Sequence, residues 1–309
     1  MQIINCNFCG SNKYKILFTN TDRLHKTDNQ FFNIVKCSNC GLVYLNPQPS
    51  AMELVRYYPK QYGPYQNDNP VFYYSPISKI LRKIWHFLKY IINKHNNKKN
   101  IVDTSVKNYL DFGCGSGHQL ESVKKLHPFW NFYGLDVNHI ACRQTIKKGF
   151  KVFCGDIATL NLPKNFFDIV NMNHVVEHLN NPKETLMQIK EILKINGCII
   201  ISTPNFDSWA AKIFKSYWYA IDTPRHLFLF TPKHLSLLLC EMNFNIKKIT
   251  YDPGPKVAIK SFYYFWHKKD LRINPWIWKL CKPISYILSI FGKTSIMTIL
   301  CEKNFVNQK

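Results

Sequence analysis

The chain has 309 residues, 46% of them hydrophobic and 15% aromatic, which indicates a globular protein with one large domain and a smaller appendage. Lys and Arg outnumber Asp and Glu by 41 to 19. The net charge of +22 indicates anionic partners, such as nucleic acid, phosphorylated metabolites or a membrane face, or else a general compositional habit. No basic flank precedes an apolar core at the N-terminus, and no apolar run reaches the roughly 18 residues of a membrane span, so we expect a cytoplasmic protein.

Four cysteines near the N-terminus form two Cys-x-x-Cys pairs, each followed by a glycine that permits the turn aiming two sulfurs at one point. The pairs are Cys6 with Cys9 and Cys37 with Cys40. Four thiolates close a tetrahedral zinc site with no open position, so the pattern predicts a structural zinc ribbon over residues 1–50. The separation of the pairs exceeds the usual ribbon spacing of roughly 15 to 20 residues. A redox pair is the alternative, although it requires only one such motif.

The next part of the chain, residues 51–104, is predicted to be a helical linker. Strand-like segments flank the second cysteine pair, and Ser50 is placed to cap a short helix. Further on, "ISKILRKIWHFLKYII" at 77–92 has an apolar stripe interrupted by basic residues. This pattern predicts a basic amphipathic helix that either packs on the main domain or contacts a membrane surface.

From about residue 105 onward, strand patterns alternate with helix patterns, which predicts a mostly parallel sheet with helices on both faces. The predicted strands are "KNYLDF", "NFYGLDV", "FKVFCG", "FDIVNM", "GCIIIST", "FNIKKIT" and, near the C-terminus, "SIMTILCEK". Helices are predicted after the first two strands, at "NPKETLMQIKEILK" and at "TPKHLSLLLCEM". We therefore expect an α/β fold with a doubly wound sheet over residues 105–309.

A glycine-rich turn follows the first of these strands in "YLDFGCGSGHQL", where Gly113, Gly115 and Gly117 alternate with other residues. A dinucleotide-binding turn has the spacing G-x-G-x-x-G, but His118 stands where its last glycine belongs. The spacing therefore disfavours NAD and FAD.

Acidic and histidine residues follow the later strands. Asp136 ends the second strand in "YGLDVN", Asp156 follows the third in "CGDIATLNLP", and the pair Glu177-His178 follows the fourth in "NHVVEHL". After the fifth strand, "DTPRHLFLFTP" adds Asp222, Arg225 and His226. In a doubly wound sheet these positions share the edge where ligands bind.

In this order the motifs resemble those of class I S-adenosylmethionine (SAM) dependent methyltransferases, whose first motif, D-x-G-x-G-x-G, matches residues 111–117. The Glu177-His178 and D-x-P-R-H-L motifs resemble those of a group acting in ubiquinone and glycan pathways. With the cysteine pairs included, the chain resembles bacterial members with an N-terminal zinc-binding segment. The resemblance implies a Rossmann-like fold and SAM as the cofactor.

The resemblance also implies roles for individual residues toward SAM. The glycine turn would approach the amino acid part of the cofactor, and Asp111 would contact its amino group. Asp136 has a carboxylate that can accept both ribose hydroxyl protons. Asp156 would bind the exocyclic amine of adenine, with Ile157 beside the ring.

Methyl transfer to a hydroxyl requires a base, and two histidines are candidates. His178 follows the fourth strand and either acts as the base or orients a loop. His226 lies near a carboxylate among aromatic residues, where its pKa can be tuned. Arg225 either clamps an anionic substrate group or forms an internal salt bridge with Asp222 or Glu177.

The acceptor is predicted from the family resemblance and the charge. An aromatic and basic insert at about 251–294 is either a lid over the pocket or a surface for lipid headgroups. We expect O-methylation of a sugar in a nucleotide-linked or lipid-linked glycan precursor for surface polysaccharide, at the inner face of the membrane or in the cytoplasm. The alternatives are C-methylation of a sugar or metabolite, and an RNA or protein methyltransferase. The nucleobase motif N-P-P-Y is replaced by "NMNHVVEHL", which disfavours nucleic acid.

Overall fold

The structure is a computed structural model that describes residues 1–59, 105–267 and 275–304. The basic helix predicted at 77–92 and most of the predicted linker lie outside the described residues. The strands are β1 Tyr14–Asn20, β2 Phe32–Cys37, β3 Val43–Leu45, β4 Asn108–Phe112, β5 Asn131–Asp136, β6 Lys151–Cys154, β7 Phe167–Asn173, β8 Leu193–Pro204, β9 Phe228–Leu229, β10 Phe244–Tyr251 and β11 Ile296–Lys303.

Seven of these strands form the central sheet in the order β10-β11-β8-β7-β4-β5-β6. The neighbouring strands β8, β7, β4, β5 and β6 run parallel to one another, and β11 lies antiparallel to both β8 and β10. The chain runs outward from β4 through β5 to β6 and then returns to the other side of β4 at β7. This reversal leaves a crevice at the carboxyl ends of β4 and β7, where doubly wound sheets bind ligands. The predicted α/β, Rossmann-like fold is confirmed.

The α-helices are α1 Ala51–Leu54, α2 His118–Leu126, α3 His139–Lys147, α4 Pro182–Ile192, α5 Trp209–Phe214, α6 Pro232–Glu241, α7 Lys256–His267 and α8 Pro275–Ile290. Their starts are set by polar caps. Asn138, Asn181 and Thr231 cap α3, α4 and α6 with side-chain oxygens, and proline occupies the first position of α4 and α6. Ser50 and Glu53 form a capping box on α1. The four predicted helices of the main domain and the Ser50 cap are confirmed.

The core lies between the central sheet and its helices. Leu110, Val170 and Ile199 in neighbouring strands are completely buried, as are Leu186 and Ile189 of α4. Each such side chain contributes about 1.5–3 kcal/mol when removed from water. This burial explains why the middle strands appear in the sequence as nearly continuous apolar runs.

A second sheet, in the order β1-β2-β3-β9, is antiparallel throughout. Strands β2 and β3 were predicted from the sequence, whereas β1 and β9 were not. Strand β9 immediately follows the segment that contains Asp222 and His226, and it pairs with β3. The N-terminal segment is therefore hydrogen-bonded to the part of the main domain that carries one of the candidate bases.

Residues between β10 and β11 form two amphipathic helices, α7 and α8. Several large apolar side chains on them are exposed: Phe262, Trp266, Trp276, Leu280, Ile284, Ile287 and Ile290. Among the residues that the structure describes, no helix is long and apolar enough to cross a bilayer.

Candidate active site and cysteine cluster

The glycine turn connects β4 to α2 at the carboxyl edge of the sheet. Gly113, Gly115 and Gly117 have φ values of 76°, 52° and 83°, which only glycine adopts at low cost. A Cβ atom on Gly113 would lie 2.5 Å from the Val175 side chain, and one on Gly117 would lie 3.0 Å from Thr145. The turn therefore packs directly against the segment that follows β7.

Asp136 at the end of β5 holds this turn in place. Its Oδ2 accepts the backbone N–H of Gly115 at 2.8 Å, and its Oδ1 accepts that of Asn138 at 2.8 Å. Burial raises the pKa of Asp136, and the backbone hydrogen bonds oppose that shift. Each carboxylate oxygen keeps a further lone pair, so the group retains acceptor capacity for two ribose hydroxyls.

Asp111, in β4 immediately before Phe112 and the glycine turn, is only 2% exposed. Burial raises its pKa to about 7, and the charge of Asp136 acts in the same direction. Asn171 of β7 opposes the shift by donating to Asp111 Oδ1 at 2.9 Å. Sequence reasoning missed Asn171; its signal was a polar residue in the middle of an apolar strand.

The other two predicted cofactor residues follow β6. Asp156 is exposed, and its Oδ1 accepts the Ala158 backbone N–H at 3.0 Å. Ile157 is 7% exposed and packs in the main core. Asp156 thus lies at the carboxyl end of the strand next to β5, while Asp111, the glycine turn and Asp136 form one connected group.

A cluster of buried ionisable residues lies beyond the carboxyl ends of β7 and β8. Glu177 and His178 are in a 3₁₀ turn, Val176–His178, and His226 approaches them from the segment before β9. His226 Nε2 is 4.0 Å from Glu177 Oε1, and the two histidine rings are edge to face with centroids 4.6 Å apart. The structure therefore brings together the two candidate bases, which are far apart in sequence.

Hydrogen bonds and charge fix the ionisation of Glu177, which is completely buried. Burial acts to raise its pKa, but the His174 hydrogen bond at 3.1 Å and the nearby histidine charges lower the pKa to about 2. The Thr203 hydroxyl donates to Oε2 at 2.9 Å. The site therefore contains a carboxylate anion next to two imidazoles. Neither His174 nor Thr203 was identified from the sequence.

The two imidazoles differ in their surroundings. Burial lowers the pKa of His178 to about 4, and the neighbouring His226 charge contributes. His178 Nδ1 lies 3.0 Å from the Arg225 carbonyl oxygen and 3.0 Å from the Tyr58 hydroxyl. His226 Nδ1 is 2.8 Å from the Ala220 carbonyl oxygen, which accepts only if this nitrogen carries the proton. In neutral His226 the lone pair is therefore on Nε2, which also lies 3.9 Å from Asp222 Oδ2.

Arg225 is completely buried and forms ion pairs within the protein. Its guanidinium bonds to both oxygens of Asp22 at 2.7 and 3.0 Å, and to Asp222 at 2.6 Å. Of the two salt bridges considered from the sequence, the one with Asp222 is present. Asp22, in the loop after β1, was missed because nothing in its local pattern distinguishes it. Arg225 therefore links the N-terminal segment to the residues around His226.

The four N-terminal cysteines converge at one point. The Cys6 and Cys40 sulfurs are 3.5 Å apart, as are those of Cys9 and Cys37, and all four lie within 4.8 Å of one another. In a tetrahedral zinc site with Zn–S bonds of about 2.3 Å, sulfurs are about 3.8 Å apart. The arrangement fits a four-thiolate zinc ion. His234 Nε2 contacts the Cys40 carbonyl oxygen at 3.0 Å and connects this cluster to α6.

The fold and the Asp111-to-Asp136 group together define a class I SAM-dependent methyltransferase domain. Residues 80–249, more than half of the chain, match a family described as a methyltransferase domain, and the chain belongs to that family. An uncharacterised protein of Methanocaldococcus jannaschii is 30% identical over 191 residues, which cover 62% of this chain and 79% of that protein.

Two other similar proteins carry names that state an activity. A malonyl-[acyl-carrier protein] O-methyltransferase of Bacillus cereus is 28% identical over 42% of this chain and 48% of its own length. A ubiquinone biosynthesis O-methyltransferase of Coxiella burnetii is 28% identical over 41% of this chain and 53% of its own length. The chain thus spans about half the length of these relatives. Among solved structures, a SAM-dependent methyltransferase from Archaeoglobus fulgidus has a TM-score of 0.45 and 22% identity, covering 71% of this chain and 100% of that one.

Proposed function

We propose that the chain transfers a methyl group from SAM to a hydroxyl group of a sugar, in a nucleotide-linked or lipid-linked glycan precursor for surface polysaccharide. The observation that supports hydroxyl chemistry best is the position of His226 Nε2, which carries the lone pair in the neutral imidazole, beside the carboxylates of Glu177 and Asp222. The names of the two relatives, both O-methyltransferases, also favour transfer to oxygen.

SAM would occupy the carboxyl edge of the sheet. Gly113, Gly115 and Gly117 would cradle its amino acid part, with Asp111 near the amino group. Asp136 would accept the ribose hydroxyls, and Asp156 with Ile157 would meet the adenine. The connection of Asp136 to the Gly115 amide supports this arrangement, because one carboxylate then fixes the turn and the ribose together.

His226 would act as the general base and His178 would orient it. His226 Nε2 would accept the proton of the acceptor hydroxyl. Bound SAM would supply the electrophilic methyl group, with S-adenosylhomocysteine as the leaving group. The carboxylates of Glu177 and Asp222 would stabilise the imidazolium that results. The low pKa of His178 disfavours it as the base, because at neutral pH it is a weak proton acceptor.

The cysteine cluster would hold one structural zinc ion through Cys6, Cys9, Cys37 and Cys40. Four thiolates leave no position for a substrate, so the metal would stabilise the N-terminal segment without taking part in methylation. In this proposal, residues 1–50 form a zinc-ribbon unit, residues 51–104 a linker, and residues 105–309 the methyltransferase domain. The contacts of β9 with β3 make the first and last of these units interdependent.

The protein would act in the cytoplasm and contact the inner face of the membrane through α7 and α8. Their exposed apolar side chains are accompanied by Lys279 and Lys282, whose ammonium groups lie 4.6 and 4.8 Å from the Trp276 and Trp278 ring centroids. Lysine beside tryptophan suits the boundary between anionic headgroups and acyl chains. Such contact would bring a lipid-linked precursor to the enzyme.

The decisive experiment incubates the purified protein with methyl-labelled SAM and fractionated cell extract, followed by mass spectrometry of the labelled product. Label on a sugar oxygen is the expected result. Label on a sugar carbon would establish C-methylation instead, and label found only in RNA or protein would refute the glycan proposal. Calorimetric titration with S-adenosylhomocysteine tests the cofactor site separately. Binding that is absent, or unaffected by Asp136→Ala, would contradict it.

A further inference from the structure

A cleft lies where the N-terminal segment meets the methyltransferase domain. Asn20 and Arg23 line it from the end of β1 and the loop that follows, Trp218, Asp222 and Thr223 from the segment before His226, and Tyr264 from α7. Its empty space is about 230 Å³ when open solvent is included, but only about 10 Å³ of it is wide enough for the centre of a water molecule, so the cleft has room for one oxygen atom. None of these residues belongs to the group proposed to hold SAM.

Two buried polar groups in the wall of this cleft have no hydrogen-bond partner within the described part of the chain. They are the indole N–H of Trp218, a residue only 1% exposed, and the hydroxyl of Thr223, which is 3% exposed. Buried donors without partners are rare because each one loses its hydrogen bond to water. An oxygen atom of a ligand in the cleft would satisfy both groups.

Arg23 supplies a positive charge in the same place. Its guanidinium lies 5.1 Å from the Tyr217 ring centroid and 4.8 Å from that of Tyr264, and it donates to the Ser216 carbonyl. No salt bridge to an acidic side chain is formed by Arg23 within residues 1–59, 105–267 and 275–304. Burial lowers its pKa, as expected for a cation with no anionic partner. By contrast, the Asp222 carboxylate is bound to Arg225 at 2.6 Å.

We infer that this cleft binds an oxyanion of the methyl acceptor, either a phosphate or a carboxylate, and thereby directs the acceptor hydroxyl toward His226. Arg23 would pair with the anion, and Trp218 and Thr223 would donate to the one oxygen that enters the cleft. The cleft is adjacent to the proposed base, because Asp222 lines the cleft and its Oδ2 is 3.9 Å from His226 Nε2. This inference rests on the proposed function and adds that the acceptor is anionic, with the N-terminal segment taking part in its recognition.

The indole N–H of Trp218 provides a direct probe by nuclear magnetic resonance. Its signal is identified in the ¹⁵N-labelled protein as the one missing from Trp218→Phe. Inorganic phosphate and acetate are titrated separately, with chloride at matched ionic strength as the control for screening. We expect phosphate or acetate to shift the signal saturably. Arg23→Gln should weaken that binding at least tenfold, while Arg143→Gln, at an exposed position on α3, should leave it unchanged.

The outcomes separate the two anions and the two proposals. Tighter binding of phosphate identifies a phosphorylated acceptor, and tighter binding of acetate a carboxylated one. The inference would be overturned if chloride shifted the Trp218 signal as much as phosphate and acetate do. Equal binding of the anions by wild type and Arg23→Gln would also overturn it. S-Adenosylhomocysteine is titrated into the same samples. Arg23→Gln should bind it like the wild type, which also shows that the variant is folded. Failure of the wild type to bind it would contradict the proposed function but not the anion site.

Discussion

His226 combines the features of a general base in one residue. The Ala220 carbonyl fixes the proton on Nδ1, and two carboxylates lie about equally far from Nε2, at 3.9 and 4.0 Å. These neighbours would stabilise a positive imidazole only after proton transfer, because neutral His226 offers them no N–H on that side. The two carboxylates would stabilise the imidazolium that forms when Nε2 accepts the proton of an acceptor hydroxyl.

Replacement of this residue gives a direct test of the base. His226→Asn keeps a donor near the position of Nδ1 and removes Nε2, so methyl transfer should slow by about 10² to 10⁴ fold. The initial rate with the labelled acceptor fraction measures the effect, and S-adenosylhomocysteine affinity should stay unchanged. His178→Asn should cost less. The opposite ranking of the two variants would assign the base to His178.

The low pKa of His178 predicts a loss of stability in mild acid. The unfolded chain takes up a proton at this histidine below about pH 6.5, whereas the folded chain does so only near pH 4. Unfolding is therefore favoured progressively as the pH falls from 6.5 to 4, by up to about 3 kcal/mol. Denaturant unfolding at several pH values measures this slope. It should flatten in His178→Asn but not in His267→Asn, an exposed control; equal slopes in all three proteins would contradict the assignment.

Among single residues, those with a sequence motif could be predicted and their partners could not. The glycine turn and Asp136 are recognisable because one local unit, β4-α2-β5, brings them to the same edge of the sheet. Asn171, Thr203 and Asp22 contact the site only after strands distant in sequence have been assembled. Their local surroundings contain no pattern that depends on those contacts.

At the scale of elements, apolar runs and helix caps were sufficient to predict the strands of the central sheet and the four helices named from the sequence. Its middle strands, such as β4 and β7, are largely buried, so their sequences show apolar residues with little interruption. Strand β1 was missed because most of its residues are exposed, and β9 because it has only two residues. The helices α7 and α8 were not predicted, since their apolar residues were interpreted only as an aromatic insert.

The cysteine cluster joins the segment before β1 to the end of β2. Its proposed zinc ion can be tested. Cys37→Ser should lose the metal and expose β1 and β2 to protease, because Cys37 ends β2 and its sulfur is one of the four in the cluster. Elemental analysis should give one zinc per chain for the wild type and for Cys240→Ser, an exposed single cysteine. Limited proteolysis reports the stability of the segment. A wild-type protein purified without chelator and free of zinc would refute the metal site.

At the scale of the whole molecule, the N-terminal segment and the methyltransferase domain meet beside the segment that carries Asp222, Arg225 and His226. The contacts across this boundary include the pairing of β3 with β9, the Asp22–Arg225 ion pair, and the His234 contact to Cys40. The Asp22 pair is fully buried, so removing either partner would leave an uncompensated charge in the interior. We therefore expect the two parts to unfold together. Sequence patterns identified both parts but carried no information about this contact.

The exposed apolar face of α7 and α8 predicts how the whole molecule meets a membrane. Trp276 and Leu280 are 66% and 73% exposed, and Lys279 lies between them in sequence. The protein should sediment with vesicles containing phosphatidylglycerol but not with pure phosphatidylcholine, since anionic headgroups attract the lysines of α8.

Salt and matched variants separate insertion from charge attraction in this experiment. Raising the salt concentration from about 0.1 to 0.5 M should reduce binding only in part, because screening weakens the ionic contribution and leaves the apolar one. The double variant Trp276→Ser with Leu280→Ser should lose most of the binding. Phe129→Ser, which removes a 76% exposed aromatic ring elsewhere, should not. Equal losses in both variants, or no sedimentation of the wild type with anionic vesicles, would show that this face does not contact the membrane.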